Sequence, residues 1–265
     1  MANFFKLVHN ENVKIYVRIR TWVMFGILAF ITAIVPFLIY IAADGIGMAS
    51  DGVGAWDGML LTASVTFFLN IIFTVIVAAD SVAGEYSAGT IKLLLIRPWS
   101  RGKLLLSKYL SVVLFSLAGT ALLILFSAIF SLLLLPGSGG MAEMLPGWSA
   151  GKYTAFSLLS RYADLFVICT FAFMLSAVFR SGGLTIGLSL FILFMQNTLS
   201  LIFTPERYSW AKYALFNNMG LSQYMVSPVG GGGMTLGFSI SVLVVYYIIF
   251  IAISWIVFVK RDVTA

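Results

Sequence analysis

Charge and the reactive side chains are what this sequence has least of. Only 10% of its 265 residues are Asp, Glu, Lys or Arg, while 61% are hydrophobic; a soluble domain carries about 25% charged residues. Mean hydropathy is +1.03, which excludes an ordinary soluble enzyme and indicates a polytopic membrane protein. The single cysteine, Cys169, lies in an apolar run, so an internal disulfide and a Cys/His zinc site are both excluded and a packing role is expected. The only histidine, His9, stands alone in the polar N-terminal segment. No GxxxxGK[ST] phosphate loop is present, and the glycine-rich runs lack the Lys-Ser/Thr that would complete one. HExxH, GxSxG and paired carboxylates inside apolar runs are missing as well. The chain is therefore not expected to be an enzyme by itself, nor to hold a cofactor or metal. Net charge is +6, but in so apolar a chain basic residues mark membrane-flanking loops and lipid headgroup contacts rather than nucleic acid. No internal repeat is evident, which removes support for an inverted-repeat secondary transporter.

What is present is a series of apolar runs. About twenty apolar residues cross the hydrocarbon core, and six runs qualify: Trp22 to Ala43, with a kink expected at Pro36; Met59 to Ala79; Leu104 to Leu135; Phe156 to Phe179; Leu184 to Phe203; and Leu236 to Val259. The third is longer than needed and should project beyond the membrane. Before them, residues 1–20 do not have the layout of a cleavable signal peptide. On a helix, Phe4, Val8, Ile15 and Ile19 share one face, flanked by Phe5 and Leu7, with Lys6, Lys14, Arg18 and Arg20 directed away. Such a basic amphipathic helix lies in the membrane interface. With the N-terminus inside, the inner side holds twelve basic residues, including Lys92, Arg97, Arg101, Lys103, Lys108, Arg180, Lys260 and Arg261. The outer side holds four, Lys152, Arg161, Arg207 and Lys212, so both termini are expected in the cytoplasm. The loop after the first run adds Asp44, Asp51 and Asp57 to the outer side. A second outer loop, Pro136 to Gly147, is turn-rich. The longest outer loop, 204–234, alternates aromatics with polar groups and ends in Val229-Gly-Gly-Gly-Gly233. It reads as short helices at or dipping into the outer leaflet, followed by a flexible glycine joint.

Polar groups within the runs are few. Asn70, Gln196 and Asn197 either line a pathway or hydrogen-bond across helices as packing contacts. Arg161 and Asp164, three apart at the outer end of the fourth run, are expected to pair with each other. The densest polar stretch is 80–103, where Asp80 and Glu85 mark the exit of the second run. Gly89-Thr90 breaks the helix there; Ile91 to Ile96 forms a short apolar helix stopped at Arg97-Pro98; and Ser100 caps a new helix with Arg101 and Lys103 in its first turn. The expected product is a rigid helix–turn–helix elbow whose two ends run straight into transmembrane helices.

At these residues the chain resembles the membrane subunit of an ABC exporter, of the six-helix permease family that exports drugs, antimicrobial peptides, polysaccharides and related cargo. The family pattern, Glu-x-x-x-Gly-Thr, a Leu-rich turn, Pro with a following Arg and then a Lys, is met by Glu85, Gly89, Thr90, Leu94, Leu95, Pro98, Arg101 and Lys108. Asn10-Glu11 and Lys14 before Arg18 and Arg20 are similar to the family's interfacial elbow helix, and Lys212-Tyr213, Leu215-Phe216, Leu221 and Gln223-Tyr224 to its re-entrant segment. The feel is closest to the permeases of Gram-positive bacteria linked to peptide-antibiotic export or resistance. The resemblance implies an all-α permease of six transmembrane helices in a bacterial cell membrane. It implies an interfacial elbow helix at 1–20, a cytoplasmic coupling helix within 80–103 and a re-entrant outer segment at 204–234. It further implies a second permease copy or paralogue, and two separate ATPase subunits that hold ATP and Mg. Glu85, Tyr86, Gly89, Thr90, Arg97, Pro98, Arg101 and Lys108 would form the ATPase-coupling surface, with Glu85 and Arg101 in salt bridges there. The short outer loops argue against a large external recognition domain. A membrane-embedded sensor or scaffold, or a secondary transporter without an ATPase, are the competing readings.

Overall fold

A computed structural model describes residues 4–45, 53–90, 99–135 and 149–260. The regular elements among the described residues are all helices, apart from one isolated bridge between Val229 and Thr235. A short helix, α1 (Phe4–Tyr16), precedes α2 (Ile19–Gly45), α3 (Ala55–Ser87), α4 (Arg101–Leu134), α5 (Ala150–Phe179) and α6 (Gly182–Ile202). A 3-10 turn (Ser209–Tyr213), α7 (Leu215–Asn218), α8 (Gln223–Val226) and a second 3-10 turn (Gly231–Gly233) lead into α9 (Leu236–Lys260). Six helices, α2 to α6 and α9, are long and apolar enough to span a membrane. All six expected spans are found, and most run longer than their apolar cores: α3 carries on through Asp80 and Glu85 to Ser87, and α2 runs through Pro36. The expected short helix at 91–96, its stop at Arg97-Pro98 and the loop at 136–147 lie outside the described residues.

Three helices make the centre. α3 packs against both α4 and α5, while α2, α6 and α9 lie around them and keep most of their apolar surface outward. In water such outward faces would be unstable; in a bilayer they are solvated by lipid. Phe67, Phe115 and Phe173, one from each central helix, are fully buried, and Cys169 sits in the same cluster, as its apolar surroundings predicted. The buried side of α3 is built from small residues, Ala63, Thr66, Thr74, Ala78 and Ala83. Without a hydrophobic drive between helices in lipid, small side chains earn stability through close van der Waals approach. The hydroxyls of Thr62, Thr66 and Thr74 donate to the carbonyls of Gly58, Thr62 and Asn70, one turn back, and so cost no unsatisfied group.

Local signals hold where they fall on described residues. Ser100 caps α4, its hydroxyl accepting the Lys103 N–H. Gly89 takes φ +67°, a left-handed conformation that a side chain disfavours, and so turns the chain off α3. α1 differs in detail from its sequence reading. Its buried residues are Leu7, Val8 and Glu11, and Ile19 belongs instead to α2, where it is exposed. The glycine run before α9 was expected as a flexible joint. It is a closed turn, in which the Gly230 N–H donates to the Met234 carbonyl at 2.8 Å.

Asn70, read from the sequence as a pathway or a packing group, makes a packing contact. Its amide donates to Thr120 Oγ1 at 3.0 Å, joining α3 to α4 in the core. Gly119 makes room for it, since a Cβ there would fall 2.3 Å from Asn70 Oδ1. Gly119→Val is therefore expected to cost about 1–3 kcal/mol by overpacking and to lower the melting temperature of the detergent-purified protein. Gly183→Val, with nothing within 4 Å of its Cβ, should leave melting close to that of the wild type.

Candidate functional site

The buried charges gather at the end of the bundle where α1 lies. α1 packs along α4 and places Glu11 on the same face as Leu7 and Val8, so a carboxylate is carried into an apolar contact. A lone buried carboxylate is untenable without partners, and α4 supplies one. Lys108, 2% exposed, donates to Glu11 Oε2 at 2.8 Å and to Glu85 Oε1 at 3.1 Å. Lys14, one turn beyond Glu11 on α1, donates to Glu11 Oε1 at 2.8 Å and to the same Glu85 oxygen at 3.0 Å. Two lysines and two glutamates thus alternate in a closed, electrically neutral ring. Thr90, just past the Gly89 turn, donates its hydroxyl to Glu85 Oε2. Burial pulls the Lys14 ammonium down, but its bonds and attraction to Glu11 and then Glu85 more than offset this, and its pKa stands above the ordinary lysine value. Its contribution to stability is fully present below that ordinary value and is lost only as pH rises through the raised one.

Around the ring, each element at this end is tied to another. Arg18, in the joint between α1 and α2, and Arg20, in the first turn of α2, both pair with Asp80 on α3, Arg18 at 3.4 Å. Ser176 on α5 donates to the Ala79 carbonyl at 2.6 Å and accepts the Ala83 N–H at 3.0 Å. Arg180, beyond α5, lies over the Tyr86 ring at 4.3 Å from its centroid. Arg101 donates to the Val259 carbonyl of α9 at 3.1 Å, and Gly102 lets the Trp255 ring approach so closely that a Cβ would meet it at 2.4 Å. A cavity of 410 Å³ opens among Arg18, Asp80, Glu85, Thr90, Lys14 and Lys108. Of the expected coupling residues, the structure brings Glu85, Thr90 and Lys108 together, places Tyr86 beneath Arg180 and Gly89 at the turn, and sets Arg101 against α9. Arg97 and Pro98 lie outside the described residues.

Each carboxylate of the ring is paired with two ammonium groups. No group of three metal-ligating side chains occurs among the described residues. Mechanical transmission is what the arrangement suits. The last turn of α3 and the first turns of α4 flank residues 91–98, and both are clamped to α1. Sequence reasoning singled out Glu85 and Lys108 but not Glu11 as their buried partner. The available signal was a carboxylate four residues after Leu7 and three after Val8 on one helical face.

The opposite end carries the second polar group. Arg161 and Asp164 attract each other across one helical turn, without a salt bridge between them among the described residues. Asp164 accepts the Gly220 N–H with both oxygens, at 3.0 and 3.1 Å, and Ser160 Oγ accepts the Ser222 N–H at 2.9 Å. α5 thereby pins the segment 204–234, which is short helices as expected. Asn217 and Asn218, which the sequence did not single out, staple that segment internally through the carbonyls of Phe203, Ala211, Lys212 and Ala214. Gln196 and Asn197 line a cavity between α3, α5 and α6, and Asn70 does not.

Lys108→Met would leave Glu11 and Glu85 buried with one cation fewer, an expected loss of about 3–5 kcal/mol. Thermal melting in detergent should show it as a lowered midpoint. The double variant Glu11→Gln with Lys108→Met should recover part of the loss, and a double-mutant cycle with strictly additive effects would rule out the ring as a coupled unit.

Over 97% of its length the chain is 33% identical to "Uncharacterized protein YhcI" of Bacillus subtilis (strain 168), covering 98% of that protein. It is also 32% identical, over 76% of its length and 81% of the relative's, to "Uncharacterized membrane protein YdbK" of the same organism. The six apolar helices and this second relative make it a membrane-embedded protein. Residues 19–264 match the family DUF2705, described as a protein of unknown function, and the chain belongs to that family.

Proposed function

We propose that this chain is the membrane subunit of an ATP-driven ABC exporter. The observation that carries the reading is the closed ring of Glu11, Lys14, Glu85 and Lys108. A plain connecting loop needs no buried charge at its root. A segment that passes force into two membrane helices does, because both of its ends must move as one body with the helix that lies beside them. In this reading the elbow at 80–103 couples the permease to its ATPase, with Glu85, Gly89 and Thr90 at its entry. Arg97, Pro98 and Arg101 form its exit. α1 is the interfacial elbow, and 204–234 dips into the outer leaflet. Both termini lie in the cytoplasm, with the protein in the cell membrane.

The working assembly is two permease chains, identical or paralogous, above two separate ATPase subunits that bind ATP and Mg. Closure of the ATPase pair pushes on 91–98. The charged ring then carries the displacement into α3, α4 and α1 together, and access to the pathway between the permeases changes. The cargo is an antimicrobial peptide, drug or lipid-like molecule. A proton-coupled transporter is a weaker reading, since Asp164 is committed to the Gly220 backbone.

Purification in mild detergent from the native host, with mass spectrometry and an ATPase assay, tests this. A stoichiometric partner carrying a phosphate loop is expected. Arg97→Glu is expected to lower its recovery or its stimulated ATP hydrolysis, with melting of the permease maintained. A chain that purifies without any ATPase would sink the exporter reading.

A further inference from the structure

We propose that the cavity between α3, α5 and α6 binds the zwitterionic headgroup of an amphiphile, a phosphate beside a protonated amine, with its tail in the membrane. The cavity has a volume of 220 Å³, below the roughly 300–1,000 Å³ of pockets for drug-sized ligands but enough for a headgroup. Its polar lining is Ser64, Arg161, Asp164, Gln196 and Asn197.

One of these groups lacks a partner and a second is only loosely held. Arg161 lies five residues inside the apolar run that begins at Phe156, near the outer end of the membrane-spanning α5. Asp164 attracts it across one helical turn, but no salt bridge joins the two. An ionisable group inside a span is a candidate for contact with a ligand or pathway. Gln196 Oε1 is buried and accepts no hydrogen bond, and an orphan acceptor away from water carries a desolvation penalty until a donor reaches it. A single anion would satisfy Arg161 but not Gln196, and would face the Asp164 carboxylate. A headgroup with a phosphate and an ammonium satisfies all three. The phosphate pairs with Arg161, and the ammonium donates to Gln196 Oε1 beside Asp164.

The walls say where the rest of the ligand goes. Phe68 and Phe194 line the cavity, yet are 39% and 55% exposed. Their rings meet edge to face at 5.6 Å and form one rim of the cavity, beside which lies the outward apolar surface of α3 and α6. Leu61, Val65, Phe191 and Leu201 continue that surface. An acyl chain laid there stays in hydrocarbon while its headgroup enters sideways. This inference needs no ATPase and stands apart from the exporter reading.

The test is ligand retention on the full-length protein in mild detergent, followed by native mass spectrometry. The probes are phosphatidylethanolamine, phosphatidylcholine and soluble phosphoethanolamine. Phosphatidylcholine keeps the phosphate and charge but has no N–H donor. One phosphatidylethanolamine per chain is expected, with phosphatidylcholine bound roughly tenfold or more weakly. Arg161→Gln should weaken phosphatidylethanolamine by a similar factor. Gln196→Leu, at a partly exposed position that tolerates an apolar side chain, should erase the preference over phosphatidylcholine without lowering the melting temperature. Equal retention of the two lipids, or unchanged retention in both variants, overturns the site. Soluble phosphoethanolamine competing at comparable concentration overturns the amphiphile.

Discussion

A buried lysine governs this structure. Lys108 lies on a membrane helix with 2% of its side chain exposed, where an ammonium with no counter-charge would not stay folded in place. Its position forces two carboxylates to meet it, and those come from helices that otherwise have no reason to converge. Glu11 must be on the helix that packs along α4, which fixes α1 against the bundle. Glu85 must be on the last turns of α3, which fixes how far that helix extends. Once both are present, the site carries more negative charge than one lysine neutralises, and Lys14 closes the ring. The Thr90 hydroxyl then takes the remaining Glu85 oxygen and orders the chain just beyond the Gly89 turn.

Isolated salt bridges at protein surfaces contribute little because water competes for both partners. The ring differs because three of its four members are largely shielded, with side-chain exposures of 2%, 8% and 14%. Its worth lies less in net stability than in what happens when it is disturbed, since removing any one charge strands another. A linkage of that kind resists partial motion. α1, the end of α3 and the start of α4 either move together or break several charge contacts at once. The Asp80 clamp on Arg18 and Arg20 extends the same body to the root of α2.

The two ends of the bundle solve their polar problems differently. At the α1 end, charges neutralise one another across helices. At the other end, carboxylate and amide side chains hold backbone: Asp164 on the Gly220 N–H, and Asn217 and Asn218 on four carbonyls. The second strategy suits a segment of very short helices, whose unpaired backbone groups outnumber their internal hydrogen bonds. It leaves Gln196 Oε1 without a hydrogen-bond donor, in the cavity between α3, α5 and α6.

The sequence by itself determined the spanning helices, because a run of about twenty apolar side chains has no better environment than a bilayer core. It also determined the local punctuation: the Ser100 cap, the turn at Gly89 and the short helices of 204–234, since each follows from the conformational preference of a few adjacent residues. Asn70 was legible as a polar group within a span, but its role was not, because a pathway amide and a packing amide look the same until a neighbour such as Thr120 is in place. Only the tertiary structure decided which charges are partners. Arg161 and Asp164 are neighbours on one helix, yet Asp164 takes a backbone amide 56 residues away. Glu11 and Lys108 are 97 residues apart, and nothing local in either segment encodes their meeting. Charge pairing in a low-dielectric interior is set by which helix faces pack together, and that choice is made by apolar and small-residue contacts spread over the whole bundle.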